Sequence, residues 1–137
     1  MLVLDASFSM PLFVADPRRP QIVATVRKLR EEGHTFLAPT LWMYEITSTV
    51  QKLCHFGHIS ASEAESALAL MADFAIELAQ PDFRLARRAL DWSRRLNRAS
   101  AYDSFYLALA EERGCDLWTA DSRLANAVKE RWVRLLA

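Results

Sequence analysis

The fold turns on SAYDSFYLALAEERGCDLWTAD, residues 100–121. From Tyr102 to Ala110 this is one of the most apolar helical segments in the chain, and Gly114 suits the left-handed residue that ends a helix. Asp116-Leu117-Trp118-Thr119 follows at once as a short strand. A helix that returns directly to a buried strand is the connecting unit of a parallel sheet. The oddity is Asp103, a carboxylate in the first turn, just where the chain enters a core. Ser100 and Asp103 have a spacing that resembles a capping box, and an acid there faces the positive end of the helix dipole. Capping explains an isolated aspartate. Other carboxylates aimed at the same place would give it a second duty.

Outward from this stretch, short apolar runs alternate with helical patterns. Leu2-Val3-Leu4 reads as a buried strand, and a helix runs from about Pro17, capped by Asp16 and stopped by Gly33. Thr35 to Ala38 forms a second strand ended by Pro39. Thr40 then caps a helix that carries Trp42, Glu45, Thr49 and Leu53 to Gly57. Ser60-Ala61-Ser62-Glu63 is a capping box that opens another helix. Phe74 to Leu78 is a third strand, Asp82 starts an arginine-rich helix, a short helix begins near Ser122, and Trp132 to Leu136 is a fifth strand. The alternation predicts an α/β fold of three layers, α/β/α, with a central parallel sheet of four to five strands. The span 1–137 is expected to be a single domain, without linker or repeat. In such sheets the functional crevice lies beyond the carboxyl ends of the strands.

Composition narrows the class. A chain of 137 residues, 52% hydrophobic and 25% charged, can bury a real core and is not disordered. The apolar opening MLVLDASFSMPLFVA has no basic leader and is broken by Asp5, so neither a signal peptide nor a membrane span is expected. Cys54 and Cys115 are the only cysteines, which fits a reduced cytoplasm. The net charge of +0 excludes nucleic-acid binding by bulk electrostatics. Yet Lys28, Lys52 and Lys129 are the only lysines among 17 basic residues, and the rest are arginine, whose planar fork suits phosphate. Arg84, Arg87, Arg88, Arg94, Arg95 and Arg98 crowd into one short stretch.

Placed on this frame, four acids share one edge. Asp5 follows the first strand, Glu45 lies one turn into the helix after the second, and Asp121 lies just past the fourth. Asp103 starts the helix that runs back to that fourth strand, so it projects at the same edge and reads as a functional acid that also caps. Two unit charges 4 Å apart repel by about 4 kcal/mol at an effective dielectric near 20, so such a cluster needs protons or cations. Hard divalent ions with oxygen ligands, Mg²⁺ or Mn²⁺, are the natural solution. The chemistry that suits them is metal-assisted hydrolysis of a phosphodiester.

The order Val3-Leu4-Asp5-Ala6-Ser7, Ala38-Pro39 with Glu45 downstream, Tyr102-Asp103-Ser104-Phe105-Tyr106-Leu107-Ala108-Leu109-Ala110, then Thr119-Ala120-Asp121 resembles the PIN-domain nucleases. Among them it looks most like the VapC toxins of type II toxin–antitoxin pairs, and the resemblance spans the whole chain. It implies a PIN-like domain and a Mg²⁺- or Mn²⁺-dependent endoribonuclease with Asp5, Glu45, Asp103 and Asp121 as the metal-binding and catalytic acids. It further implies supporting hydroxyls at Ser7 and Thr119, a homodimer, and a VapB-like antitoxin that blocks the site. Asp5, Asp103 and Asp121 form the expected ligand set, Asp121 partly through water. Glu45 is either a ligand or the group that orients the attacking water. Thr119 is either a β-branched strand residue or the hydroxyl that fixes a carboxylate rotamer. Many relatives carry Asn three residues after the glutamate, where this chain has Ser48, which puts the polar support of Glu45 in question.

Other features carry less. Cys54, His55 and His58 have zinc-like letters, but a structural zinc needs four placed ligands and only His34 and Cys115 remain. Leu85, Ala89, Trp92 and Leu96 form a core stripe. Opposite it Arg84, Arg87, Arg88, Arg95 and Arg98 make either a solvated face or an RNA-phosphate track toward Asp103. Asp116 falls at the wrong end of its strand for the site, and Asp73, Glu77, Glu111 and Glu112 look like surface charges. Trp42, Met43, Tyr44, Ile46, Val50, Leu53 and Phe56 point in too many directions for one core, which suggests an interface on that helix. The competing functions are a catalytically silent PIN-like module that binds RNA or protein, and a metal-dependent phosphatase. The second is disfavoured because no lysine follows a strand end and Asp5-Ala6-Ser7 lacks a second Asp.

Overall fold

Val3 faces one side of the sheet while Leu2 and Leu4 face the other, and both sides are covered by helices. The computed structural model describes residues 1–98 and 101–136. Strand β1 (Leu2–Leu4) is buried at all three positions, as a central strand of a parallel sheet must be. It pairs in parallel with β2 (Phe36–Pro39) on one side and β4 (Leu117–Thr119) on the other. With β3 (Glu77–Ala79) and β5 (Val133–Leu135), the sheet has the order β3-β2-β1-β4-β5, parallel throughout. The chain winds outward from β1 to β3 and then crosses back to β4, so the topological switch lies between β1 and β4.

Helices α1 (Ala6–Ser9) and α2 (Arg19–Glu31) follow β1, joined by a tighter turn at Met10–Leu12. Ile22, Val26 and Leu29 of α2 cover the Leu2, Leu4 and Phe36 side. Helices α3 (Leu41–His55), α4 (Ala61–Asp73), α5 (Phe83–Arg95), α6 (Tyr102–Arg113) and α7 (Ser122–Val128) supply the larger core against Val3, Leu37 and Leu117. The three-layer expectation is met. No helix among the described residues is long and apolar enough to cross a membrane.

Local signals held unevenly. Ser60 and Glu63 form the full capping box, Asp82 Oδ1 accepts from the Leu85 amide at 2.7 Å, and Gly114 ends α6 at φ 61°. Asp16 does not cap α2. Its Oδ1 instead accepts from the Arg18 amide at 2.8 Å, and its carboxylate holds the Arg18 guanidinium, one turn before the helix. Thr40 occupies the cap position of α3 without a side-chain cap bond. β3 begins at Glu77, three residues later than the apolar run suggested. Phe74 ends α4 and stacks on Phe36, with ring centroids 5.8 Å apart, so its apolarity serves the core rather than a strand. The proposed cap at Ser100 lies outside the described residues.

Candidate active site

The Asp5 amide donates to the Trp118 carbonyl of β4 at 3.1 Å, so strand pairing itself sets Asp5 at the switch point. Asp5 as a whole is 5% exposed. Oδ1 accepts from Ser7 Oγ at 2.7 Å and from the Phe8 amide at 2.9 Å, which makes Asp5 the cap of α1. The nearby Thr119 hydroxyl, like these donors, favours the ionised carboxylate. Burial outweighs these donors and pushes the Asp5 pKa up to about 6, with the Asp103 charge adding to it. Behind it, Trp42 Nε1 donates to Ser9 Oγ at 2.9 Å, and Ser9 Oγ donates to the Asp5 carbonyl at 2.8 Å.

Thr119, the last residue of β4, is fully buried and ties the two sides of the switch together. Its Oγ1 accepts from the Asp121 amide at 3.0 Å and lies 3.2 Å from Ser7 Oγ, which in turn accepts from the Ala120 amide at 3.1 Å. The expected supporting hydroxyls therefore sit between Asp5 and the start of α7. Asp121 Oδ1 caps α7, accepting from the amides of Arg123 at 2.9 Å and Leu124 at 3.2 Å. Asp5 and Asp121 thus both stand at helix N-termini directly after parallel strands, where a positive dipole end steadies a carboxylate. Sequence reasoning assigned caps elsewhere and missed these two, although an acid between a strand and a helical pattern is the usual signal.

Glu45 is half-buried in α3, and Tyr106 Oη donates to its Oε1 at 2.7 Å. Tyr106 was not among the expected site residues. It lies one turn after Asp103 on α6, and that spacing was the available clue. It supplies the polar support for Glu45 that Ser48 left in question. Burial and the Glu45 charge drive the Tyr106 pKa far upward, so it remains a donor. Asp103 lies in the first turn of α6 with a side chain 48% exposed. The Arg98 guanidinium sits 3.8 Å from its Oδ2. Arg98 is aimed there by the end of α5: the Arg98 amide donates to the Ser93 carbonyl at 2.9 Å and the Asn97 amide to Arg94 at 3.1 Å, around Asn97 at φ 52°.

The four acids share one field. Burial is the first cause raising Glu45 and Asp103, and like charge adds to it: Asp5 and Glu45 feel Asp103, and Asp103 feels Asp121. Asp103 is the common neighbour. Even so, among the described residues no three His, Cys, Asp or Glu side chains converge closely enough to hold an ion as they stand. Each carboxylate is instead engaged singly, by Ser7 and Phe8, by Tyr106, by Arg98 and by the α7 amides. The donors are all hard oxygens, and only Asp103 has a cationic partner among the described residues, which fits Mg²⁺ or Mn²⁺ and fits no soft metal.

The arginine face divides. Arg84 pairs with Glu112 at 2.7 Å and Arg88 with Glu111 at 3.2 Å, so both lean onto α6, and Glu111 and Glu112 are partners rather than idle surface charges. Arg95 lies over the Trp92 ring at 3.9 Å. Arg98 reaches the acid cluster, and Arg87 is exposed with no acidic partner among the described residues.

The PIN domain family model matches residues 2–130. A VapC ribonuclease of Mycobacterium bovis is 32% identical over 126 residues, covering 92% of this chain and 90% of its own length. Ribonuclease VapC9 of Mycobacterium tuberculosis matches to the same extent, 32% over 126 residues. Among solved structures, VapC20 of Mycobacterium tuberculosis, described as a sarcin–ricin loop cleaving toxin, superposes with a TM-score of 0.71 at 17% identity over 98% of this chain and 99% of its own. FitAcB of Neisseria gonorrhoeae gives 0.68 at 19% identity, over 100% of this chain and 97% of that one.

Proposed function

The chain belongs to the PIN-domain family, and from that premise we propose that it is a VapC-type endoribonuclease, the toxin of a toxin–antitoxin pair that hydrolyses RNA phosphodiester bonds. The observation that supports this reading is the placement of Asp5, Glu45, Asp103 and Asp121, from four separate elements, at one edge of the sheet, where each feels at least one of the others' charges. We read the whole span as one such domain.

These four side chains would hold Mg²⁺ or Mn²⁺, which when bound supplies charge neutralisation and Lewis acidity toward a phosphoryl oxygen. The chain's own residues do the rest. Ser7 and the Phe8 amide fix the Asp5 carboxylate, with Thr119 against Ser7 behind them, so the buried acid presents one orientation. Tyr106 fixes Glu45, whose raised pKa suits either a ligand or the group that orients the attacking water and takes its proton. Arg98, beside Asp103, is placed to meet a phosphate, and Arg87 extends the basic surface along α5. A VapB-like antitoxin, with an arginine or lysine entering the acid cluster, would displace the cation, and we expect the chain to form a homodimer.

Cleavage of RNA in Mg²⁺ or Mn²⁺, abolished by EDTA and by Asp103→Asn, tests the proposal. A second reading, a silent RNA- or protein-binding module, is favoured by the absence of a ready-made three-ligand cage among the described residues. RNA binding without cleavage in either metal would select it.

A further inference from the structure

A groove borders the acid cluster between α3 and the first turn of α6, with a volume of about 450 Å³. Glu45 forms one wall, Tyr44, Ser48 and Lys52 line it along a single stripe of α3, and Leu41, Thr49 and Tyr102 complete it. Tyr44 is 67% and Tyr102 64% exposed, although a tyrosine ring normally buries most of its surface. Lys52 has no acidic partner among the described residues.

Two exposed rings, two hydroxyls and an ammonium beside a catalytic carboxylate match the parts of one unpaired nucleotide. Aromatic faces take a splayed base, hydroxyls meet its edge, and a cation meets the next phosphate. The volume suits a ligand of nucleotide size, within the about 300–1,000 Å³ common for small-molecule sites. A duplex could not present a base to these rings without unstacking it.

We propose that this groove is the subsite for the nucleotide flanking the scissile phosphate: its base stacks on Tyr44 and Tyr102, and Lys52 takes the phosphate beyond. The inference rests on the ribonuclease reading and deepens it. Tyr44 and Tyr102 then help to choose the nucleotide beside the cut.

The test uses the full chain, in EDTA, with a fluorescein-labelled eight-nucleotide single-stranded RNA followed by anisotropy. Tyr44→Ala and Tyr102→Ala should each weaken binding about tenfold, the worth of one stacked base. Tyr44→Phe and Tyr102→Phe, which keep the ring, should stay within about twofold. Lys52→Ala should lower the slope of log affinity against log salt by about 0.7. Thermal melts establish that the variants fold, as their surface positions lead one to expect. Alanine variants that bind within twofold of wild type would overturn the proposal. So would unchanged binding with a shifted oligomeric state in light scattering, which would assign the groove to a protein partner. Wild-type cleavage in Mg²⁺ is measured separately. A chain whose RNA binding depends on these tyrosines but which never cleaves would uphold the groove and sink the nuclease.

Discussion

A carboxylate buried behind Ser7, Phe8 and Thr119 costs the native state whenever it ionises. Asp5 has a folded pKa of about 6 against 3.8 when exposed, so between these values the native chain holds a proton that the unfolded chain has released. Stability in EDTA should therefore fall as pH rises from about 4 to about 6, by on the order of 3 kcal/mol for this residue. Glu45 and Asp103 are shifted in the same direction and add to the fall. Asp5→Asn should flatten the dependence and raise the melting temperature above pH 6, while abolishing cleavage. A wild-type melting curve that rises across that window would contradict the burial account. Tyr106→Phe removes one donor from Glu45 without changing the packing volume; kcat should drop about tenfold with KM and fold nearly unchanged. That Asp5 and Asp121 lie just past strand ends was legible in the sequence, because position after a strand is a local property. Tyr106 was not, because its bond to Glu45 joins two helices 61 residues apart, and a tyrosine in an apolar helix looks like core.

At the scale of the element, α5 shows how far periodicity can be trusted. Leu85, Ala89 and Trp92 are buried as their spacing requires, and Leu96 is partly so. The polar side is less uniform than spacing implied. Arg84 and Arg88 point toward α6 and meet Glu112 and Glu111, whereas Arg87 and Arg94 have no acidic partner among the described residues. Which arginines serve a phosphate depends on the neighbouring helix, and nothing in the α5 sequence names that neighbour. Arg87→Glu with Arg94→Glu should therefore weaken RNA binding and reduce its salt dependence. Arg84→Ala and Arg88→Ala should each leave RNA affinity unchanged and cost less than about 1 kcal/mol of stability, as exposed pairs do. Filter binding across a salt series, with parallel urea melts, separates the two pairs; equal losses from both would restore the single-face picture. The early start given to β3 has a related origin. Phe74 is apolar because it stacks between elements, and apolarity alone does not distinguish that from pairing.

For the whole molecule, strand and helix alternation was enough to give the layers and the parallel sheet, since each element declared itself within a few residues. The separation of the acids was not legible, because it depends on partners drawn from α1, the turn after α5, α6 and α7. If a divalent ion binds them, it must draw Asp103 from Arg98, and the native state gains what the repulsion had cost. Millimolar Mg²⁺ or Mn²⁺ should raise the melting temperature, more at pH 8 than at pH 5, where Asp5 already carries its proton. Calorimetry that finds no binding at millimolar ion would sink the metal reading. The place of β1 carries one more consequence. It is held by β2 on one side and on the other by β4, so Val3 must wait for Leu117. Parallel pairing across so long a separation closes a large loop before any contact rewards it, which slows folding. During synthesis β1 emerges well before its second neighbour, β4. Asp5 and Asp121 can meet only after β4 has formed beside β1, so a chain that still lacks β4 cannot assemble the acidic edge.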